Sequence, residues 1–298
     1  MLRSPLPALN DSEGERVPPG LPPVVDAHVH VFPDKLLASI RGWFDRHGWP
    51  IRYRMKAVDV APFLLNRGVD RVVALCYAHR PGVARELNRF MASLAARNPR
   101  IIALAAVFPG EEGAADILEE AFGAGLQGVK LHAHVLGIPV DAPSVHEVAG
   151  ICARHGRPLV YHAGREPRSP AYRCDPHEIC SAQRVERLLE THPQLEICVP
   201  HLGMDEFEAY KRLLESYDHL WLDTTMALAG YLPGAAPPHL AGMRTDRILY
   251  GTDFPNIPYA WDRELRVLAA NGLSDRDLAR VLGENACRLF SIDPLPLS

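Results

Sequence analysis

Two histidines one residue apart close the run Val24-Val25-Asp26-Ala27-His28-Val29-His30. Such a run reads as a short buried strand, and residues i and i+2 of a strand share a face. Both imidazoles therefore leave the element on one side, where their neutral nitrogens can share a divalent cation. Taken alone, the pair reads more readily as two strand-end histidines bonded to backbone. Other apolar runs end in the same chemistry. Lys130 and His132 close Gly128-Val129-Lys130-Leu131-His132, and His162 follows Pro158-Leu159-Val160-Tyr161. His201, Asp223 and Asp253 end the runs that begin at Leu195, Leu220 and Arg247. Imidazoles with carboxylates are the donor set of a borderline divalent ion. Such an ion lowers the pKa of bound water from 15.7 to about 7, making hydroxide available at neutral pH.

These runs alternate with helical patterns. Strands are expected at 24–30, 69–76, 101–107, 128–132, 158–162, 195–201, 220–223 and 247–253. A helix follows the first strand to about Arg46, with Asp34 as its N-cap. Others are expected at 55–66, 82–96, 114–122, 145–155, from about 179 to 191, and at 206–215. Three more, at 263–270, 275–282 and 285–290, close the chain. Gly48 to Tyr53 reads as a loop, a lid or substrate contact, and a long loop runs from Ala163 to about Ile179. A Pro/Gly-rich run over 232–238 interrupts before the eighth strand. Eight strands alternating with helices define an α/β protein, a (β/α)8 TIM barrel in a single domain over 24–298. No G-x-G-x-x-G follows an early strand to support an open dinucleotide-binding sheet. In a barrel the strands' C-terminal ends meet at one mouth, which gathers the histidines and carboxylates in one place.

Bulk composition agrees with an ordinary globular protein. The chain has 298 residues, 47% hydrophobic and 23% charged, with a formal net charge of −4. That balance excludes a basic nucleic-acid footprint, and no run approaches the roughly 18 apolar residues of a membrane span. Cysteines 76, 152, 174, 180, 198 and 287 form no C-x-x-C pair, so free thiols in the cytoplasm are expected. The Pro- and Ser-rich residues 1–23 lack the apolar stretch of a secretory signal and read as a disordered tail. The expected partners are a small-molecule substrate and at most a second copy of the chain as a homodimer.

The order His-x-His, then Lys130 in Gly-Val-Lys-Leu-His, then His162, His201 and Asp253 resembles the amidohydrolase superfamily, in its amidohydrolase-related branch. Tyr161-His162-Ala163-Gly164, Pro200-His201-Leu202-Gly203, Tyr250-Gly251-Thr252-Asp253-Phe254-Pro255 and Asn285-Ala286-Cys287-Arg288-Leu289-Phe290 carry the likeness to the end of the chain. The resemblance implies His28, His30, His162 and Asp253 as ligands of one divalent metal. Zinc is the first candidate, with manganese, iron or a second ion as alternatives. It makes His201 the residue that steers water or substrate, and Lys130 either a substrate contact or a carboxylated bridge between two ions. His132 and His134 are assigned to the surroundings. Asp253 is expected to accept the water's proton, and Asp26 and Asp223 to hold imidazoles from behind. One of Arg165, Arg168 and Arg173, on the loop with Glu166, would clamp a substrate carboxylate. The implied activity is hydrolysis of a C–N or C–O bond in a small carbonyl compound (amide, lactone or ester). The alternative is non-oxidative decarboxylation, which the same branch performs with the same ligands. A metal held only for structure is the remaining reading.

Overall fold

The computed structural model describes residues 6–230 and 238–293. Eight strands appear in chain order: β1 (Val25–His30), β2 (Arg71–Leu75), β3 (Ile101–Ala103), β4 (Val129–His132), β5 (Leu159–His162), β6 (Ile197–Val199), β7 (Leu220–Asp223) and β8 (Ile248–Leu249). Each ladder is parallel and joins strands adjacent in sequence. Two single bridges close the ring. Ala105 pairs with Val129 between β3 and β4, and Val29 with Phe254 between β1 and the end of β8. Backbone bonds reinforce the second seam: Asp253 N donates to His28 O at 3.0 Å and His30 N to Phe254 O at 2.7 Å. The architecture is the expected (β/α)8 barrel, with no free sheet edge at either seam.

Several strands are shorter than the sequence predicts, notably β3, β6 and β8. Two of the expected strand-end residues explain the last pair. His201 and Asp253 have φ of 59° and 69°, in the left-handed region that L-residues other than Asn and Asp rarely adopt. A strand ends where its backbone turns this way, and the side chain is re-aimed across the mouth.

Alternate residues of each strand fill the barrel interior or face the helices. Val25, Ala27, Val73, Leu75, Val160, Cys198, Trp221 and Leu249 form the inner cluster. Val24, Val29, Val72, Ala74, Val129, Leu131 and Tyr161 pack outward. Along β1 the parity breaks: Val25 and Ala27 point inward, yet so do His28 and His30. A register shift between Asp26 and Val29 supplies the reason, since β1 uses three steps where β2 uses two. The extra residue is a β-bulge, which re-aims everything beyond it.

Three other local expectations change. Asp34 does not cap its own helix (Asp34–His47); its carboxylate instead accepts from Ala57 N at 2.8 Å, at the start of the helix Ala57–Leu65. The two last helices are one, continuous from Asp275 to Leu289 through a π turn at Arg280–Glu284. Residues 6–23, expected to be disordered, carry no regular element but are tied down at several points. Ala8 is buried with its N–H on Pro258 O, Gly14 N donates to Asp262, and the Trp261 indole donates back to Gly14 O. Side chains hold it as well as backbone, Glu13 meeting Arg52 and Tyr53 and Asp11 meeting Arg263. The Pro/Gly-rich run lies almost wholly outside the described residues. Among the described residues no helix is long and apolar enough to cross a membrane. All six cysteines are free.

Candidate active site

The bulge brings His28 Nε2 within 3.3 Å of His30 Nε2, on strand-end residues that are almost wholly buried. Asp253, thrown across the β1–β8 seam by its left-handed backbone, places Oδ1 3.0 Å from His30 Nε2 and 3.5 Å from His28 Nε2. The three donor atoms all lie within 4.8 Å of one another. Burial alone would raise the Asp253 carboxyl, but the facing imidazoles of His30 and His28 outweigh it and bring it down to about 2. Burial, with the neighbouring Lys130 and His30, pushes His28 well below the ordinary imidazole range. The group is therefore a carboxylate and a neutral imidazole beside a second imidazole, the protonation state that a metal needs.

Asp223 orients the first ring. Its Oδ2 lies 2.8 Å from His28 Nδ1, while Oδ1 accepts from His201 N at 3.0 Å and Thr225 N at 3.2 Å. With Nδ1 engaged there, His28 presents the Nε2 lone pair to the site. Asp26 has a different task from the one expected. It accepts from His28 N, from Thr252 N and from the Thr252 hydroxyl at 2.6 Å, so it ties the backbones of β1 and the β8 end rather than an imidazole.

Lys130 is fully buried on the inner face of β4, with Nζ 3.3 Å from His28 Nε2. Burial lowers it to about 8, against the pull of Asp223 and Asp253. His201 Nδ1 donates to the Thr225 carbonyl at 2.8 Å. A carbonyl can only accept, so Nδ1 carries the hydrogen and Nε2 is the working nitrogen.

His162 is not part of the first group. Its Nδ1 lies 3.3 Å from His201 Nε2, and its Nε2 faces Glu166 Oε1 at 2.8 Å. The fourth ligand that the resemblance implies thus stands behind His201, within a second cluster with His132 and His134. Glu166 was named in the sequence only as one charge on a loop, and nothing in its neighbours marks it as buried. Two of the three arginines expected to clamp a substrate carboxylate are engaged with other groups. Arg165 bonds Cys180 O and faces Glu206, Arg168 pairs with Asp175, and Arg173 is exposed. The Gly48–Tyr53 loop is a buttress: Trp49 donates to Asn256 O, and Ile51 and Tyr53 are buried.

Aromatic rings enclose the mouth. Phe32 stacks on His30 with an interplanar angle of 13°, and Tyr77 stands edge-on to both His30 and His132. Tyr172 lies against His134 and stacks on Trp43.

Comparison with known proteins identifies the family and the fold. The amidohydrolase family profile matches residues 25–292. The chain belongs to that family, and it is an enzyme of the amidohydrolase superfamily. No curated protein sequence matches. Among solved structures, 5-carboxyvanillate decarboxylase from Novosphingobium aromaticivorans, complexed with manganese and 4-hydroxy-3-methoxy-5-nitrobenzoic acid, has 15% identity and a TM-score of 0.64, covering 94% of this chain and 100% of that one. 2,6-Dihydroxybenzoate decarboxylase from Rhizobium has 18% identity and a TM-score of 0.62, covering 91% and 99%. A probable 2-pyrone-4,6-dicarboxylic acid hydrolase from Acinetobacter baumannii, with citric acid bound, has 16% identity and a TM-score of 0.60, covering 90% and 99%. At these identities the likeness is one of fold.

The first group also passes a geometric test for a cation. Ligands at about 2.1 Å meeting at a tetrahedral angle lie roughly 3.4 Å apart. The 3.0, 3.3 and 3.5 Å separations among His28, His30 and Asp253 fit that spacing.

Proposed function

We propose that the protein is a metal-dependent, non-oxidative decarboxylase of a small aromatic or unsaturated carboxylate. This reverses the order of the two activities that the sequence suggested. The observation that carries it is the aromatic enclosure: Phe32 and Tyr77 flank His30, a shape suited to a planar substrate. The solved relatives, mostly decarboxylases of hydroxybenzoates, support it.

His28, His30 and Asp253 would hold the divalent ion, and both manganese and zinc suit nitrogen–oxygen donors. When bound, the ion supplies a Lewis acid for a substrate oxygen. Lys130, a cation below about pH 8, faces the same space and holds the substrate's negative charge. In the reaction the bond from ring carbon to carboxylate breaks, its electron pair stays on the ring carbon, and a proton replaces the departing CO2. His201 takes up a proton from solvent at Nε2 and passes it to that carbon, while its Nδ1–H stays on the Thr225 carbonyl. Asp253 stays ionised at neutral pH and serves as ligand. The free thiols fit a reducing compartment such as the cytoplasm.

A second reading, hydrolysis of a lactone or amide, is favoured by the buried amine of Lys130 beside the candidate ligands. The metal-loaded protein, offered hydroxybenzoates, unsaturated carboxylates and lactones, is expected to release CO2 from a carboxylate. Release of acid from a lactone with no CO2 from any carboxylate would replace the first reading with the second.

A further inference from the structure

We propose that His132, His134 and Glu166, closed by Nε2 of His162, form a second site for a divalent transition-metal ion, apart from the centre at His28, His30 and Asp253. Ligand atoms of the three imidazoles lie within 4.8 Å of one another. Glu166 Oε2 is 3.4 Å from His134 Nδ1 and Oε1 is 2.8 Å from His162 Nε2.

The fold builds this cluster from three sources. Parallel pairing sets His132 of β4 opposite His162 of β5, and their rings stack 4.0 Å apart at 8°. The chain then turns into the short helix Ala133–Leu136, which carries His134 back over the pair. The loop after β5 swings Glu166 inward to meet His134 and His162, and the Tyr172 hydroxyl donates to Oε2, the oxygen that faces His134.

Unspent donors distinguish the cluster from an ordinary hydrogen-bonded network. His132 Nδ1, both ring nitrogens of His134 and His162 Nε2 are buried without a hydrogen-bond partner. The approach of His162 to Glu166 is close but lacks hydrogen-bond alignment. A buried polar atom left unpaired is costly; here four ring nitrogens are, and two of them, His134 Nδ1 and His162 Nε2, face one carboxylate. Among the described residues, the ion-pair partners of Glu166 are these imidazoles alone. A divalent cation would take up the nitrogen lone pairs and balance the buried charge together. Three imidazoles and one carboxylate suit zinc, cobalt, manganese or iron.

His162 stands between the two centres, Nδ1 toward His201 and Nε2 toward Glu166. The donor sets share no residue, so each can be emptied separately. The full chain is stripped with chelator, dialysed and titrated with Co2+ alone, and bound metal is counted by elemental analysis and by visible ligand-field absorption. Wild type is expected to hold two equivalents. His134→Ala and the near-isosteric Glu166→Gln should each hold one, with the same absorption component lost in both. His30→Ala should also hold one, and lose the other component. One equivalent in wild type, kept by both His134→Ala and Glu166→Gln, would overturn the second site. If His30→Ala keeps everything that wild type binds while His134→Ala does not, the first centre fails and the second stands.

Discussion

His28 shows how much one residue can carry. Its Nε2 faces the candidate cation, its Nδ1 rests on Asp223, and its backbone N–H and carbonyl bind Asp26 and Asp253. Removing the support from behind should weaken the ligand without deleting it. Asp223→Asn is expected to lower metal affinity about 10–100-fold, read by competition with a chelator; unchanged affinity would mean that Asp223 serves only the backbone of His201 and Thr225. Lys130 gives a pH prediction. It is charged below about pH 8 and neutral above, so KM for a carboxylate substrate should rise as pH passes through 8. Lys130→Gln should show a high KM that lacks this rise, and a wild-type KM flat from pH 7 to 9.5 would remove Lys130 from substrate binding. At this scale the sequence was informative where residue type and strand position coincide, as in His28-x-His30 or Asp253. It was silent on Glu166, because a glutamate among arginines on a loop looks like a solvated charge. The direction in which His162 faces was equally hidden, since it depends on where that glutamate goes.

Elements decide which of these side chains meet. The bulge in β1 was illegible beforehand: an i, i+2 pair shares a face with or without it, but only the extra residue lets Val25 and Ala27 fill the barrel floor while His28 and His30 also face inward. Strand existence and order were readable from apolar runs. Strand length was not, because the left-handed turns at His201 and Asp253 depend on contacts across the mouth. Asp26 fastens β1 to the end of β8, and burial, outweighing the bonds from Thr252 and His28, raises it to about 7 from an ordinary 3.8. The folded chain thus keeps a proton on Asp26 that the unfolded chain releases between about pH 4 and 7. Fewer protons are bound on unfolding, so this group's contribution to stability falls as pH rises through that window. Urea midpoints of Asp26→Asn should therefore decline less from pH 5 to pH 7.5 than those of wild type. Parallel declines would place the Asp26 proton elsewhere.

For the whole molecule, closure and cover matter most. The barrel is sealed at two seams, and the segment 6–23 lies outside it as a strap over Trp261, with Arg52 and Tyr53 reaching out to Glu13. Deleting residues 1–17 strips those bonds and should lower Tm by more than about 2 °C, the shift that roughly 1 kcal/mol produces in a chain of this size. An unchanged Tm would show the strap to be energetically idle. The barrel and its mouth were legible from eight apolar runs, six of them ending in His or Asp, but which activity fills that mouth depends on aromatic rings contributed by residues far apart in the chain. The central claim is that His28, His30 and Asp253 grip a cation. Its most direct test is anomalous diffraction at the zinc or manganese edge from metal-soaked crystals. The account predicts a peak bonded to His28 Nε2, His30 Nε2 and an Asp253 oxygen. A map of the soaked crystal with no peak among those three atoms would contradict it.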